Sequence, residues 1–276
     1  MRPQWILIHL HGKTIRIFTY AAVEADHPKT PSREVIFVRD VFDILNNIKA
    51  PQVLDAATGR GDFIHILKQR LGHFVRIVGV DSNPKTVEYA QNIFPEDEVE
   101  IYQMNLEQLS FRDSAFDLVS ISNALHHLAD VDLVLAEMMR VLKPGGHLLV
   151  SEMYQDGSQT EAQRTHIMMH HWVAKVDQRF GNDHFETYLR QQIIDKIQAL
   201  QLTDLQIKDY NIPVTNPKDA QNCENLKRNY AGILKRIESL EDSQALIVEG
   251  ERVQERIQEH GCAPASRVLI LGTKPL

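Results

Sequence analysis

The chain has 276 residues, 43% of them hydrophobic and 24% charged, which fits a globular α/β domain with additions. Its formal net charge of −7 argues against nucleic acid as the main partner, because phosphate contacts depend on clustered Lys and Arg. The sequence shows no apolar run of about 18 residues and no signal-peptide layout, so we expect no membrane contact and a cytoplasmic protein. The spacing of Cys223 and Cys262 predicts reduced thiols rather than a disulfide framework.

The N-terminal residues 4–20 alternate in hydropathy around His11-Gly12-Lys13. This pattern predicts a β-hairpin outside the main sheet. A Pro-containing linker over residues 26–31 and a first helix near residues 34–48 follow. We therefore expect residues 1–30 to form a hairpin and a linker.

Apolar segments alternate with helical patterns between residues 50 and 155. The predicted strands are Val53–Asp55, Arg76–Val80, Glu100–Met104, Leu118–Ser122 and His147–Met153. Strands and helices that alternate in this way predict a doubly wound, mostly parallel α/β sheet. Residues 31–155 are accordingly expected to form a cofactor-binding core.

A glycine turn follows the first of these strands. Gly59 and Gly61 let backbone N–H groups approach a ligand, and Asp81, after the next strand, can accept hydrogen bonds from ribose hydroxyls. Ile64 stands where a dinucleotide site needs a third glycine. The carboxylate of Asp55 would repel a pyrophosphate but suits a cationic ligand. The turn therefore favours S-adenosylmethionine over a nicotinamide dinucleotide.

Four motifs in order carry a family resemblance: residues 55–61, Asp81, residues 105–119 and residues 141–150. With them the chain resembles the class I S-adenosylmethionine-dependent methyltransferases, in the group that includes ubiquinone and menaquinone biosynthesis methyltransferases. The resemblance implies a Rossmann-like, seven-stranded, mostly parallel sheet. It also implies a set of cofactor-binding residues: Asp55, Ala57, Gly59, Gly61, Asp81, Ser82, Asn105, Leu106 and Asn123. Ala57 replaces the family's first glycine, and Asn105 stands where the family often has Asp.

The remaining third of the chain departs from the simplest form of this fold. Helices are predicted at about 160–180 and 185–200, in an acceptor-side segment over residues 156–204. Leu205–Tyr210 and Arg267–Gly272 resemble the family's last two strands, in a segment over residues 205–276. A helical insertion over residues 214–263 separates them. It could be a lid over the acceptor pocket or a contact in a homodimer, and the two alternatives are compatible.

Two groups of histidines are candidates for the catalytic base. His126 and His127 lie just past the fourth strand of the core, where imidazole can take a proton near neutral pH. His170 and His171 belong to a His-rich helix that also contains His166. The competing interpretation gives these side chains only structural or cofactor-flanking roles. Glu152, at the end of the fifth strand, could orient a substrate or cap a loop.

The His-rich helix also allows a metal site, although we expect none. His166 and His170 are one helical turn apart, and His184 would be the third ligand. The same helix could instead line an acceptor pocket, or place its histidines on a solvated face. These three interpretations remain open from the sequence.

The sequence thus predicts a methyltransferase that uses S-adenosylmethionine, releases S-adenosylhomocysteine, and acts on oxygen or carbon of a small molecule rather than on nitrogen. The loop at residues 122–128 lacks the Asn/Asp-Pro-Pro-aromatic signature of amino-methylating enzymes. Two alternatives belong to other classes. One is a non-catalytic protein that binds the cofactor as a scaffold, and the other is a nicotinamide-dependent oxidoreductase.

Overall fold

The computed structural model describes residues 5–10, 13–18, 41–94, 98–219 and 230–276. The N-terminal hairpin belongs to a compact unit of its own. Its strands β1 (Trp5–Leu10) and β2 (Lys13–Phe18) pair antiparallel, with Trp5 opposite Phe18 and Leu10 opposite Lys13. The two predicted hairpin strands are confirmed. His11 and Gly12 of the expected turn lie outside the described residues, as do residues 34–40 of the expected helix near residues 34–48. The described remainder of that helix contains a short 3₁₀ helix at Phe42–Leu45.

A large sheet forms the centre of the second unit. Its strands are β3 (Gln52–Ala56), β4 (Arg76–Asp81), β5 (Val99–Gln103), β6 (Phe116–Ser122), β7 (Leu142–Met153), β8 (Thr203–Tyr210) and β9 (Arg267–Thr273). Within the described part of the chain these seven strands lie in the order β5-β4-β3-β6-β7-β9-β8. Strands β3 to β7 are parallel, and β9 runs antiparallel between β7 and β8. The predicted doubly wound, mostly parallel sheet is confirmed.

Helices connect the strands and cover the sheet. They are α1 (Asp62–Arg70), α2 (Pro84–Ile93), α3 (Val131–Val141), α4 (Glu161–Arg179), α5 (Arg190–Gln198), α6 (residues 230–237) and α7 (Gln244–His260). Two short 3₁₀ helices span Phe42–Leu45 and Leu125–His127. Helix α4 begins after Thr160 because Thr160 and Gln163 form a capping box, in which each side chain bonds the other residue's backbone N–H.

The sheet is buried on both faces. Val53 belongs to one apolar cluster, together with Phe63 of α1, whereas the next residue, Leu54, belongs to another, together with Met138 of α3. Neighbouring residues of a strand point to opposite faces, so an unbroken apolar run supplies both layers. This arrangement leaves the carboxyl ends of the parallel strands and the loops that follow them available for a site.

The predicted helical insertion is present as α6 and α7, and residues 220–229 lie outside the described part. Helix α7 packs on α4 around Trp172, which is fully buried. Trp172 Nε1 donates to the Leu246 carbonyl oxygen over 2.7 Å, and its ring centroid lies 5.3 Å from that of Tyr230. One function of the insertion is therefore to support α4. Its interpretation as a lid or a dimer contact, and the expected segment boundaries, stay predictions.

Two local expectations differ from the structure. The second predicted helix, at 185–200, begins only at Arg190, because the Phe185 N–H donates to the His126 carbonyl oxygen (2.7 Å) and keeps the preceding residues as a loop. The expectation of reduced thiols is wrong for Cys262, which is not a free thiol. In the described part of the chain, every helix is too short or too polar to span a bilayer.

The packing of α7 on α4 generates a stability prediction. A Cβ at Gly250 would lie 2.5 Å from Trp172 Cζ2, whereas a Cβ at Gly232 of α6 would meet nothing within 4 Å. Gly250→Ala should lower the free energy of unfolding by about 1–3 kcal/mol through overpacking. Gly232→Ala should raise it by roughly 0.5–1 kcal/mol through helix propensity. Urea denaturation of both variants tests this, and a stabilised Gly250→Ala protein would contradict the packing described.

Candidate active site

A cavity of about 660 Å³ lies at the carboxyl ends of the parallel strands. Its walls come from the loops after β3, β4, β5 and β6 and from the loop after α4. This volume is within the range of about 300–1,000 Å³ that is typical of small-molecule sites. Of the residues proposed from the sequence, these line it: Ala57, Gly59, Asp81, Ser82, Leu106, Asn123 and His127.

The glycine turn depends on left-handed backbone conformations. Gly59 and Gly61 have φ of 54° and 85°, and Ala57 has φ of 51°. An alanine in this region costs roughly 1 kcal/mol or more relative to glycine. A Cβ at Gly61 would lie 2.3 Å from Phe94 Cε2, so this glycine lets the start of α1 pack against Phe94. Gly61 therefore contributes to the turn through close packing against Phe94. It is not among the described residues that line the cavity.

Asp81 joins two loops of the cavity wall, those after β3 and β4. Its Oδ2 accepts from the Gly59 N–H over 2.9 Å, and its Oδ1 accepts from the Asn83 N–H over 2.9 Å. Thr86 Oγ1 donates to the same Oδ1 over 3.1 Å. These bonds fix the carboxylate at the cavity wall before any ligand arrives.

Asp55 has a different position from the one its motif suggests. It is 1% exposed and stands outside the described lining of the cavity. Its two oxygens accept from Thr58 Oγ1 (2.7 Å) and Ser120 Oγ (2.8 Å). Burial raises the pKa of Asp55 from 3.8 to about 6, although both hydrogen bonds oppose the shift. Asp55 thus stabilises the turn from the protein interior. Its charge can affect a ligand in the cavity only through the residues that line the wall, not by direct contact.

The remaining candidate cofactor-binding residues, Asn105, Leu106 and Asn123, differ in whether their side chains reach the cavity. Asn105 is exposed and outside the described lining, and its Oδ1 accepts from the Glu107 N–H (3.0 Å) in a local turn. Leu106 presents an apolar side chain to the cavity. Asn123 has φ of 48°, and among the described residues its buried Oδ1 has no hydrogen-bond partner. This acceptor is therefore available to a donor on a ligand.

Several lining residues were not predicted from the sequence, and Asn182 and Asp183 are the ones from the most distant segment. They lie in the loop after α4, which is bent back toward the 3₁₀ helix at Leu125–His127 by the Phe185–His126 backbone bond. The only signal was the Gly181-Asn182 turn after the His-rich helix. A contact between segments so distant in sequence leaves no periodic pattern in either.

Glu152 caps the loop after β6. It is fully buried, and its Oε2 accepts from the Ala124 N–H (3.0 Å) and the Leu125 N–H (2.9 Å). Its Oε1 lies 2.9 Å from His126 Nδ1. Of its two expected roles, the structure shows loop capping, and this contact also fixes the His126 ring.

Five imidazoles from three segments meet beside the cavity and form what we call the histidine cluster: His126, His127, His166, His170 and His184. His126 lies 4.3 Å from His127 and 5.5 Å from His170 between ring centroids. His127 lies 4.1 Å from His184, and His166 lies 4.7 Å from His170. Within the described lining of the cavity, His127 is the one member of the cluster present.

Burial favours the neutral form of three imidazoles of the cluster. Burial lowers the pKa of His127 from 6.5 to about 3, with further lowering by His126 and His184. Burial is also the main cause that lowers the pKa of His166 to about 4 and that of His170 well below 6.5. These side chains therefore present lone pairs rather than positive charges at neutral pH.

His171 lies outside the cluster. Its Nε2 is 2.9 Å from Thr187 Oγ1 and also accepts from the Thr187 N–H (3.3 Å). His166 and His170 are half-buried against other imidazoles rather than on a solvated face. Asp177, on the same stripe of α4, pairs with His184 Nδ1 over 2.8 Å.

Known proteins share both the sequence motifs and the fold. Residues 54–150 match a family model described as a methyltransferase domain. A ubiquinone/menaquinone biosynthesis C-methyltransferase of Hahella chejuensis is 39% identical over 36% of this chain and 42% of its own length. A protein of the same name from an Enterobacter species is 33% identical over 54% of this chain and 61% of its own length. The chain thus spans about half the length of these relatives.

Solved structures show the same fold at low identity. The YcgJ protein of Bacillus subtilis is 21% identical with a TM-score of 0.55, covering 86% of this chain and 97% of that one. Phosphoethanolamine N-methyltransferase 2 of Haemonchus contortus, solved in complex with S-adenosyl-L-methionine, is 16% identical with a TM-score of 0.52, covering 86% of this chain and 51% of that one. The sheet order agrees with these matches, and residues 54–150 therefore resemble a methyltransferase domain in both sequence and fold.

Proposed function

We propose that the protein transfers the methyl group of S-adenosylmethionine to carbon or oxygen of a small-molecule acceptor. The observation that carries this proposal is the cavity, whose wall includes both the Asp81 carboxylate and the His127 imidazole. One end of the same space thus offers ribose-binding oxygens, and the other offers a group that can contact an acceptor. We also propose a cytoplasmic location, and the possible homodimer stays a prediction.

We infer one orientation of the cofactor in the cavity from the residues that line it. Asp81 and Ser82 would accept from the ribose hydroxyls, and Leu106 would pack on the adenine ring. The turn at Gly59 and the free Oδ1 of Asn123 would then lie beside the methionine portion. In this orientation the transferred methyl lies toward the loop that carries His127.

Carbon methylation is favoured by the names of the relatives, which are C-methyltransferases of ubiquinone and menaquinone biosynthesis. In the reaction the bond from the methyl carbon to the sulfonium sulfur breaks while a bond to the acceptor forms. The products are S-adenosylhomocysteine and a methylated acceptor that loses one proton. Alignment of the two reactants supplies much of the rate, and a group near the acceptor must direct or take that proton.

His127 is the best placed of the four candidate bases. His126 Nδ1 is held by Glu152 behind the loop, and His171 is held by Thr187. His170 stays a candidate only through the cluster, since it stands outside the described lining of the cavity. His127 lines the cavity, so it is the imidazole that can reach the acceptor.

Asp81→Ala should weaken binding of S-adenosylhomocysteine by about 10- to 100-fold, because two charge-assisted hydrogen bonds to the ribose are lost. Isothermal titration calorimetry measures this, with a thermal melt to show that the variant is folded. In the wild type, S-adenosylhomocysteine should raise the melting temperature and NADH should not. Stabilisation by NADH instead would favour the oxidoreductase alternative and contradict the cofactor assignment.

Asp55 gives a pH prediction. As the pH rises from 5 to 7.5, Asp55 passes through its pKa of about 6 and becomes ionised. Its charge should then attract the sulfonium cation, so S-adenosylmethionine should bind roughly tenfold more tightly at the higher pH. S-adenosylhomocysteine has no sulfonium charge and should change less. Asp55→Asn should remove the difference between the two ligands, and an equal pH response of both in the wild type would rule out this role.

His127→Ala should lower turnover by about 10²- to 10⁴-fold, with little effect on binding of S-adenosylhomocysteine. His171→Ala is the matched control, because its imidazole contacts Thr187 away from the cavity, and it should retain wild-type turnover. Methyl transfer is measured as S-adenosylhomocysteine released with a panel of phenols and quinols. Tight cofactor binding without transfer to any of them would favour the scaffold alternative.

A further inference from the structure

Three imidazoles of the histidine cluster converge on one point. Ring nitrogens of His126, His127 and His184 all lie within 4.8 Å of one another. His126 and His184 are 1% and 5% exposed, and within the described residues the Nε2 atom of each has no hydrogen-bond partner. A buried polar atom without a partner costs about 1–3 kcal/mol, so two such atoms side by side point to a missing common ligand.

The other nitrogen of each buried ring is already held by a carboxylate. His126 Nδ1 lies 2.9 Å from Glu152, and His184 Nδ1 lies 2.8 Å from Asp177. Asp177 is itself paired with Arg236 Nη2 over 2.8 Å. A carboxylate that binds Nδ1–H fixes the tautomer, orients the ring and leaves Nε2 as a lone-pair donor. Histidines that bind metals are commonly held in this way.

The donor set indicates the kind of ion. Three imidazole nitrogens suit zinc and neighbouring transition metals, whereas Mg²⁺ and Ca²⁺ prefer oxygen. Zinc–nitrogen bonds of about 2.1 Å place ligands of a tetrahedral site roughly 3.4 Å apart, so separations of up to 4.8 Å must shorten by up to about 1.4 Å. His127 is exposed and can approach the two buried rings by rotating its own ring, whereas the separation of His126 from His184 closes only if those two rings move.

We propose that His126, His127 and His184 bind a zinc-type divalent metal ion whose fourth position opens into the cofactor cavity. Three protein ligands with one open position are typical of catalytic rather than structural zinc sites. Because His127 lines the cavity, the open position faces the space where the acceptor would lie. An acceptor hydroxyl or carbonyl oxygen is the ligand that fits it. The binding of an acceptor oxygen at the open position rests on the proposed function, whereas the metal site itself does not.

This set differs from the one that the sequence suggested. The sequence predicts no metal site, but its spacing allows one of His166, His170 and His184, because the first two are one helical turn apart. In the structure His166 Nδ1 instead accepts from the Ala265 N–H over 3.2 Å. His184 is common to both sets, which differ in having either His126 and His127 or His166 and His170, and variants of His127 and His166 therefore test one residue specific to each set.

The test uses the full chain, stripped of metal with a chelator and then titrated with Zn²⁺ in competition with a chromophoric chelator. His127→Ala and His184→Ala should each weaken Zn²⁺ binding at least tenfold. Asp177→Asn should weaken it by about 10- to 100-fold, because it releases the His184 ring without removing a ligand. His166→Ala and His171→Ala are the matched controls and should bind as the wild type does. Thermal melts without metal identify any variant that does not fold.

Each result decides between the alternatives. Absence of Zn²⁺ binding by the wild type, or unchanged binding by folded His127→Ala, overturns the proposal. Loss of binding in His166→Ala with retention in His127→Ala overturns it in favour of the other set. S-adenosylhomocysteine binding and methyl release are measured on the same samples. Zinc binding without methyl release supports the metal site and contradicts the proposed function. A further outcome concerns the metal's role toward the acceptor. If the metal-free wild type still turns over but His127→Ala does not, that role is overturned and His127 acts as a free base.

Discussion

The buried carboxylate of Glu152 organises the site. A fully buried anion is unfavourable unless its oxygens are hydrogen-bonded, and here three donors from one loop surround it. These bonds hold the loop after β6 in a tight 3₁₀ turn, with one imidazole directed inward and the next directed into the cavity. The same side chain therefore sets the cavity wall and the orientation of His126.

Helix α4 brings the second half of the cluster to this loop. Its Trp172 side is buried against α6 and α7, while the stripe that carries His166, His170 and Asp177 faces the 3₁₀ turn. Because a helix has 3.6 residues per turn, the apolar residues around Trp172 and the His/Asp stripe fall on different sides of α4. The backbone bond from Phe185 to His126 then returns the chain, so that His184 meets the two imidazoles of the loop.

Much of the fold was predictable because its signals are local. Alternation of apolar strands with helices predicted the sheet, and the Asp55–Gly61 turn with Asp81 predicted the cofactor edge. The roles of Asp55 and Asn105 were less accessible, since a motif gives the residue type but not whether the side chain faces the ligand or the interior. The meeting of His127 with His184 was not predictable, because it depends on how a loop after α4 folds back across 57 positions of sequence. Sequence spacing favoured His166 and His170 instead, since neighbours on one helix are the only contacts that spacing reveals.

The pairing of Arg236 with Asp177 has a consequence for the modularity of this chain. Arg236 belongs to α6 in the insertion, and Asp177 in turn orients His184 beside the cavity. An insertion between the last two strands would ordinarily be an exchangeable appendage, free to vary between relatives without effect on the chemistry. Here removal of the insertion would expose the Trp172 side of α4 and would leave the Asp177 carboxylate without Arg236. Both changes would disturb the histidine cluster. The insertion and the His-rich helix therefore depend on each other structurally, and neither can be changed without effect on the other.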